Sequence, residues 1–216
     1  MQLLETENRQ DFMLDIRSDR YNDFAEYDTS DSQTQNRHHH LNYDSENAII
    51  ATPKNRLTGS EIRSPLTAPA YVRLALEELK CFELVDYQFE HWGVTFTNVI
   101  AIQPSNPAFL IRPGATVLMG APKSGLIEVN FKHPVNFISG LVTSSRRTVL
   151  SAYNRAGHLI ADQELPAPNL AGFNSPIPPN TKLSVAGSNI YKVTFYAFDG
   201  QLIVDDFSFG VSDSIE

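Results

Sequence analysis

Residues 191–210 read YKVTFYAFDGQLIVDDFSFG, two β-rich runs on either side of Asp199-Gly200. An Asp-Gly pair between alternating apolar residues is a strong hairpin signal, because a tight turn needs the positive φ that Gly reaches freely. The spacing predicts strands over Ile190–Phe198 and Gln201–Phe209. Within the second strand, period-two alternation sets Ile203, Asp205, Phe207 and Phe209 on one face. Leu202, Val204, Asp206 and Ser208 fall on the other. The Ile/Phe/Phe face reads as the core face, so Asp205 is expected to point inward. A buried carboxylate must be paired, hydrogen-bonded or metal-bound.

The same strand-and-turn text extends upstream to Cys81. Gly93–Ile102 and Ala115–Met119 are rich in β-branched residues, and Leu126–Phe131 alternates, with Ile127, Val129 and Phe131 opposite Glu128 and Asn130. Val135–Thr143 follows a break at His133-Pro134. Thr148–Tyr153 and His158–Gln163 are joined by Asn154-Arg155-Ala156-Gly157, a hairpin turn in which the Gly takes the positive φ. Beyond a Pro- and Asn-rich loop, Leu165–Asn180, lies Lys182–Ala186. Roughly nine short strands separated by turn signals predict an all-β fold, an antiparallel jelly-roll β-sandwich over residues 81–210, with a short tail at 211–216.

Residues 1–66 differ in kind. Asp19–Glu46 is dominated by Asp, Ser, Asn, Gln and Thr, and buries too little apolar surface to offset the entropy of ordering it. This segment is expected to be a mostly disordered polar tail with a short amphipathic helix at 3–16, carried by Leu3, Leu4, Phe12, Met13, Leu14 and Ile16. It is also the more acidic part, with 7 Lys and Arg against 12 Asp and Glu; Thr67–Glu216 has 10 against 13. Residues 67–80 read as a linker. Its Tyr71–Lys80 run, YVRLALEELK, has good helix formers and an Arg73–Glu77 pair at i,i+4, predicting one short helix.

The whole chain of 216 residues carries a formal charge of −8 and a pI near 5.2, which argues against broad binding to nucleic acid or anionic membranes. No apolar run is long enough to span a membrane. The N-terminus lacks the basic start and apolar core of a signal peptide, and Ser212–Glu216 is not an apolar sorting helix, so the chain as written is expected to stay in the cytoplasm. The single cysteine, Cys81, excludes an intramolecular disulfide and a Cys-based metal cluster. His38, His39 and His40 read as a polar tract, since three consecutive residues do not face one ion from a regular element. Gly114–Ser124 superficially resembles a phosphate loop, but Pro122 precedes Lys123 and strand-like Thr116–Met119 fills the loop. It reads as a turn.

Two constellations carry chemistry. The first is a structural Ca²⁺ site: Asp205 with oxygen ligands from Glu83, Asp86 and Glu90, the acids nearest the start of the domain. Its alternative is Asp205 accepting backbone N–H bonds from a neighbouring loop. The second is a ligand-binding groove. Trp92, the one tryptophan, offers an aromatic platform, and Arg146, Arg147, Tyr153 and Asn154 lie on or beside one predicted hairpin and supply polar contacts. Taken singly, Trp92 also fits a core lid and the Arg pair fits edge-strand charges that discourage aggregation.

Phe82-Glu83, Gly93-Val94-Thr95-Phe96, Ile127–Phe131 with Pro134-Val135, Ala152–Ile160, Ile190–Phe195 and Val204-Asp205-Asp206-Phe207 together resemble a module of exported bacterial proteins. The module is common in bacterial, including cyanobacterial, proteins with PEP-CTERM sorting tails, and it is similar to galactose-binding-like and carbohydrate-binding-module jelly rolls. The resemblance covers about Cys81–Gly210. It implies export, and a last-strand Asp that helps hold a structural Ca²⁺, which falls on Asp205 with Asp206 as the other candidate. The expected function is a non-catalytic binding module for a glycan or other exposed polymer. One alternative is an interaction protein that docks to a protein partner through residues 1–66. The other is an enzyme on the same fold.

Overall fold

The computed structural model describes residues 48–54, 70–120 and 125–211. The expected helix at 3–16, the His38–His40 tract, most of the expected disordered tail and residues 212–216 lie outside the described residues. Within them the chain is all-β, as expected, with ten strands: β1 Ile49–Ala51, β2 Ala70–Leu74, β3 Val94–Thr97, β4 Val99–Ile102, β5 Val117–Gly120, β6 Leu126–Ser144, β7 Thr148–Tyr153, β8 Leu159–Leu165, β9 Thr181–Tyr196 and β10 Leu202–Val211.

Hydrogen bonds link all ten into one sheet that folds over its own core. The first half of β6 pairs with β3 and with the end of β9, which pairs in turn with β7 and then β8. The second half of β6 pairs with the start of β9 and with β10, whose other edge takes β5 and then β2. Two layers result, and β6 and β9 run through both. Register shifts in β6 between Asn130 and Phe137 make the bend. His133-Pro134, expected to end a strand, instead lies inside this irregular stretch, where a missing proline N–H costs no ladder bond.

Apolar residues of the two layers meet in one core. Phe207 of β10 packs edge-on against Phe96 of β3 and Phe195 of β9, with centroids 5.9 and 6.3 Å apart. A smaller cluster of Phe109, Val117 and Ile203 lies on the other side of β10, so that strand is covered on both faces.

Three expectations change. The Asp199-Gly200 turn does not close a hairpin, because β6 lies between β9 and β10. The chain instead arches from one layer to the other over Ala197–Gln201. Asp199 takes the positive φ of 50°, while Gly200 is required for space: a Cβ there would sit 2.6 Å from Cγ of Arg146. The neighbouring arch, between β6 and β7, is bound to the first by Ser145 N–H donating to the Gln201 carbonyl at 2.9 Å and Gln201 N–H donating to Ser145 Oγ at 2.8 Å.

Residues 70–74 are not the start of a helix. Ala70, Val72 and Leu74 are buried, Tyr71 and Arg73 are not, and the strand docks antiparallel on β10. A free sheet edge outweighs local propensity here. Only a single 3₁₀ turn, Leu76–Glu78, remains of the expected helix. β1, within the segment expected to be disordered, pairs parallel with β2, making the sheet mixed.

The face assignment in β10 also changes. Register shifts between Asp205 and Ser208, where Asp206 adopts φ 51°. The extra residue reverses the alternation: Leu202 and Val204 face the main core before the bulge, Phe207 and Phe209 after it, and Ile203 faces the smaller cluster. Asp205 is buried as expected, at 8% exposure, but it sits at the bulge and not among the phenylalanines.

Candidate functional site

The structure disperses the expected groove. Trp92 closes the 3₁₀ turn Glu90–Trp92 and is 9% exposed, with its indole N–H donating to the Thr52 carbonyl at 3.1 Å. It is a core lid. The aliphatic stem of Arg146 packs over Gly200. Arg147 donates from Nε and Nη2 to the two carboxylate oxygens of Glu164, both at 2.5 Å. That hydrogen-bonded pair raises the Arg147 pKa and lowers that of Glu164. Tyr153 and Asn154 lie at and beyond the far end of the six-residue β7, about 20 Å from Arg147 at the rise of an extended strand. Asn154 serves its own turn, Oδ1 accepting from the N–H groups of Ala156 at 3.0 Å and His158 at 2.9 Å.

The expected calcium ligands are not gathered either. Glu83 Oε1 accepts from Lys80 N–H at 2.6 Å, Asp86 Oδ1 from Tyr87 N–H at 2.7 Å, and Asp205 Oδ1 from Asp206 N–H at 2.7 Å. Glu90 is exposed in the first turn before Trp92. Among the described residues no three His, Cys, Asp or Glu side chains come together as a metal site. Each of the three accepting carboxylates satisfies a local backbone donor instead.

What the register does assemble is a polar, aromatic-bearing face on the layer of β3, β6, β9, β7 and β8. Directly paired residues point the same way. Asp162, Ser151, Thr194, Glu128 and Thr97 therefore form one row across five strands, and Tyr153, Lys192, Asn130 and Thr95 form the next. On the other side, Glu164, Val149, Tyr196 and Leu126 make a third row. None of these residues is buried, while the alternate positions Phe96, Val129, Val193, Leu150 and Ala152 are all in the core.

The polar groups of this face hold one another in place. Lys192 Nζ lies 3.9 Å from Glu128 Oε2 and 5.0 Å from the centroid of the Tyr153 ring. Asn130 Nδ2 donates to Glu128 Oε1 at 3.1 Å. At the opposite end Tyr196, 40% exposed, meets the 75% exposed Phe198 edge-on at 6.2 Å. Ordered polar groups beside exposed aromatic rings on a broad, open surface suit an extended ligand with hydroxyl groups and apolar patches. Of the expected site residues only Tyr153 lies on this face, with Arg147 reaching it through Glu164. The polar positions of β6 were visible as alternation, but their common face with β7 and β9 depends on register between strands far apart in sequence.

No protein-family model and no curated protein matches this sequence. Among solved structures the chain is similar to carbohydrate-binding modules of family 29. One, a tyrosine-to-alanine mutant of CBM29-2, is 9% identical with a TM-score of 0.38, covering 67% of this chain and 94% of that one. Another, an aspartate-to-alanine mutant of CBM29-2 complexed with mannohexaose, is 5% identical with a TM-score of 0.37, covering 68% and 94%. TmCBM61, solved with β-1,4-galactotriose, is 11% identical with a TM-score of 0.35, covering 55% of this chain and 88% of its own.

Proposed function

We propose that the protein is a non-catalytic binding module that holds a glycan chain along the outer face of the β3–β6–β9–β7–β8 layer. The observation that carries this is the register that brings Tyr153, Lys192, Glu128, Asn130 and Tyr196 onto one unburied face. Neighbouring rows stand two residues apart, about 7 Å, and strands about 4.8 Å apart, so the surface is broad and suits a polymer better than a single small molecule. Apolar sugar faces stack on Tyr196 and Phe198, while hydroxyl groups exchange hydrogen bonds with Glu128, Asn130 and Lys192. Exported polysaccharide is the natural source of such a chain.

Affinity electrophoresis through gels containing soluble polysaccharides tests this. Retardation is expected for the native protein, weakened in Tyr196→Ala and in Tyr153→Ala with melting temperatures little changed. No retardation in any polysaccharide gel, or full retardation of a folded Tyr153→Ala/Tyr196→Ala/Phe198→Ala variant, would overturn it.

A further inference from the structure

We infer that this face discriminates by charge and takes uncharged glycans in preference to uronic or sulfated ones; the inference rests on the function proposed above. Recognising an acidic sugar calls for a cation free to pair with it, above all the two-pronged fork of Arg. The two cations set among the carboxylates of these rows are committed, while Lys132, the next outward residue of β6 after Asn130, is exposed at their margin. Arg147 gives its fork to Glu164 through two bonds of 2.5 Å, and Lys192 lies between Glu128 and the Tyr153 ring. Asp162, on the same face, has no ion-pair partner among the described residues. Over the three rows an arriving carboxylate or sulfate thus meets three carboxylates and two cations that those carboxylates already occupy, with Lys132 only at the margin.

A neutral sugar needs none of these ion pairs broken. It takes hydrogen bonds from groups already oriented and stacks on the aromatic rings. The carboxylates then act as acceptors for hydroxyl donors, a role that a negatively charged ligand would turn into repulsion.

Matched polymers test the idea: hydroxyethylcellulose against carboxymethylcellulose, and galactan against polygalacturonate. At low salt, retention of the neutral member of a pair that binds is expected to exceed that of the acidic member by about tenfold, with the gap narrowing as salt screens the face. The Asp162→Asn/Glu164→Gln variant, checked by its melting curve, removes two carboxylates and frees Arg147. It is expected to gain retention on the acidic polymer severalfold. Equal or stronger retention of the acidic member by the native protein overturns the selectivity and leaves the glycan-binding function standing. Absence of retention in both members of every pair overturns the function, and the selectivity with it.

Discussion

The guanidinium of Arg73 on β2 is ion-paired through Nε to the carboxylate of Asp206, the bulge residue of β10. The contact falls where β10 changes partners, from β5 at Ile203 and Val204 to β2 at Ser208 onward. The hydrogen bond to Asp206 raises the Arg73 pKa, with desolvation opposing it and further charge attraction from Asp206, Glu77 and Asp205 adding to it. Asp is one of the few residues with a side chain that tolerates a left-handed backbone, so residue 206 both forms the bulge and ties β2 to it.

Two substitutions separate these roles. Asp206→Asn keeps the tolerance for positive φ and loses the charge, and is expected to cost about 1 kcal/mol, as for partly exposed ion pairs. Asp206→Val also places a β-branched residue at positive φ and is expected to cost roughly 2 kcal/mol more. Urea denaturation measures both. Equal midpoints for the two variants would count against backbone conformation as the reason for Asp at this position.

Gly125 and Gly157 both have positive φ, yet they should respond differently to alanine. A Cβ on Gly125 would lie 2.0 Å from the Ala197 carbonyl oxygen and 2.7 Å from that of Gly200, whereas one on Gly157 meets nothing within 4 Å. Gly157→Ala should cost about 1–2 kcal/mol from backbone strain alone. Gly125→Ala must push an arch aside and should cost more than about 3 kcal/mol. Thermal melts of the pair decide it, and similar losses would mean that the arch yields easily.

Glu164 provides a pH marker on the sheet face. Its hydrogen bond from Arg147 holds the carboxyl below the usual carboxylate range. A lowered folded-state pKa means that the pair is intact above the ordinary value and is lost as pH falls through the depressed one. A side-chain NMR titration should find Glu164 protonating later on acidification than a free glutamate, and Arg147→Gln should return it to the ordinary range. An unchanged midpoint in that variant would show that the pair does not persist in solution.

Trp92 and Tyr196 should separate stability from binding. Trp92→Ala removes a large side chain that is 9% exposed and the bond to Thr52, and should cost about 3–5 kcal/mol. Tyr196→Ala, on a surface position, should change stability by about 1 kcal/mol or less and weaken retention on polysaccharide. Loss of glycan retention in a Trp92 variant that melts like the native protein would contradict the assignment of Trp92 as a lid.

Local periodicity made much of the fold legible. The β7–β8 hairpin, with Gly157 at φ 82°, follows directly from Asn154–Gly157, and the alternation of Leu126–Phe131 matches the buried set of that stretch. What escaped depends on contacts distant in sequence. Tyr71–Leu74 has the composition of a helix and becomes a strand because β10 offers an edge. Asp199-Gly200 has the composition of a hairpin and becomes an arch because β6 occupies the place beside β9. The bulge at Asp206 has no signature beyond the residue's tolerance for positive φ, and it inverted the face assignment from which the inward Asp205 was argued. The candidate glycan face was the least visible part, since Tyr153, Lys192 and Glu128 become neighbours only through the registers of β6, β7 and β9.

Those same two long strands have a bearing on how the molecule comes apart. Because β6 and β9 belong to both layers, neither layer can lose its strands without stripping the other of its central pair. Unfolding should therefore be a single cooperative transition, with amide exchange in Val193 and Phe195 under the polar face as slow as in Val142 and Leu183 at the far ends of the same strands. A surface built on such strands keeps its spacing for as long as the molecule stays folded, which is what the proposed grip on a long polymer would require.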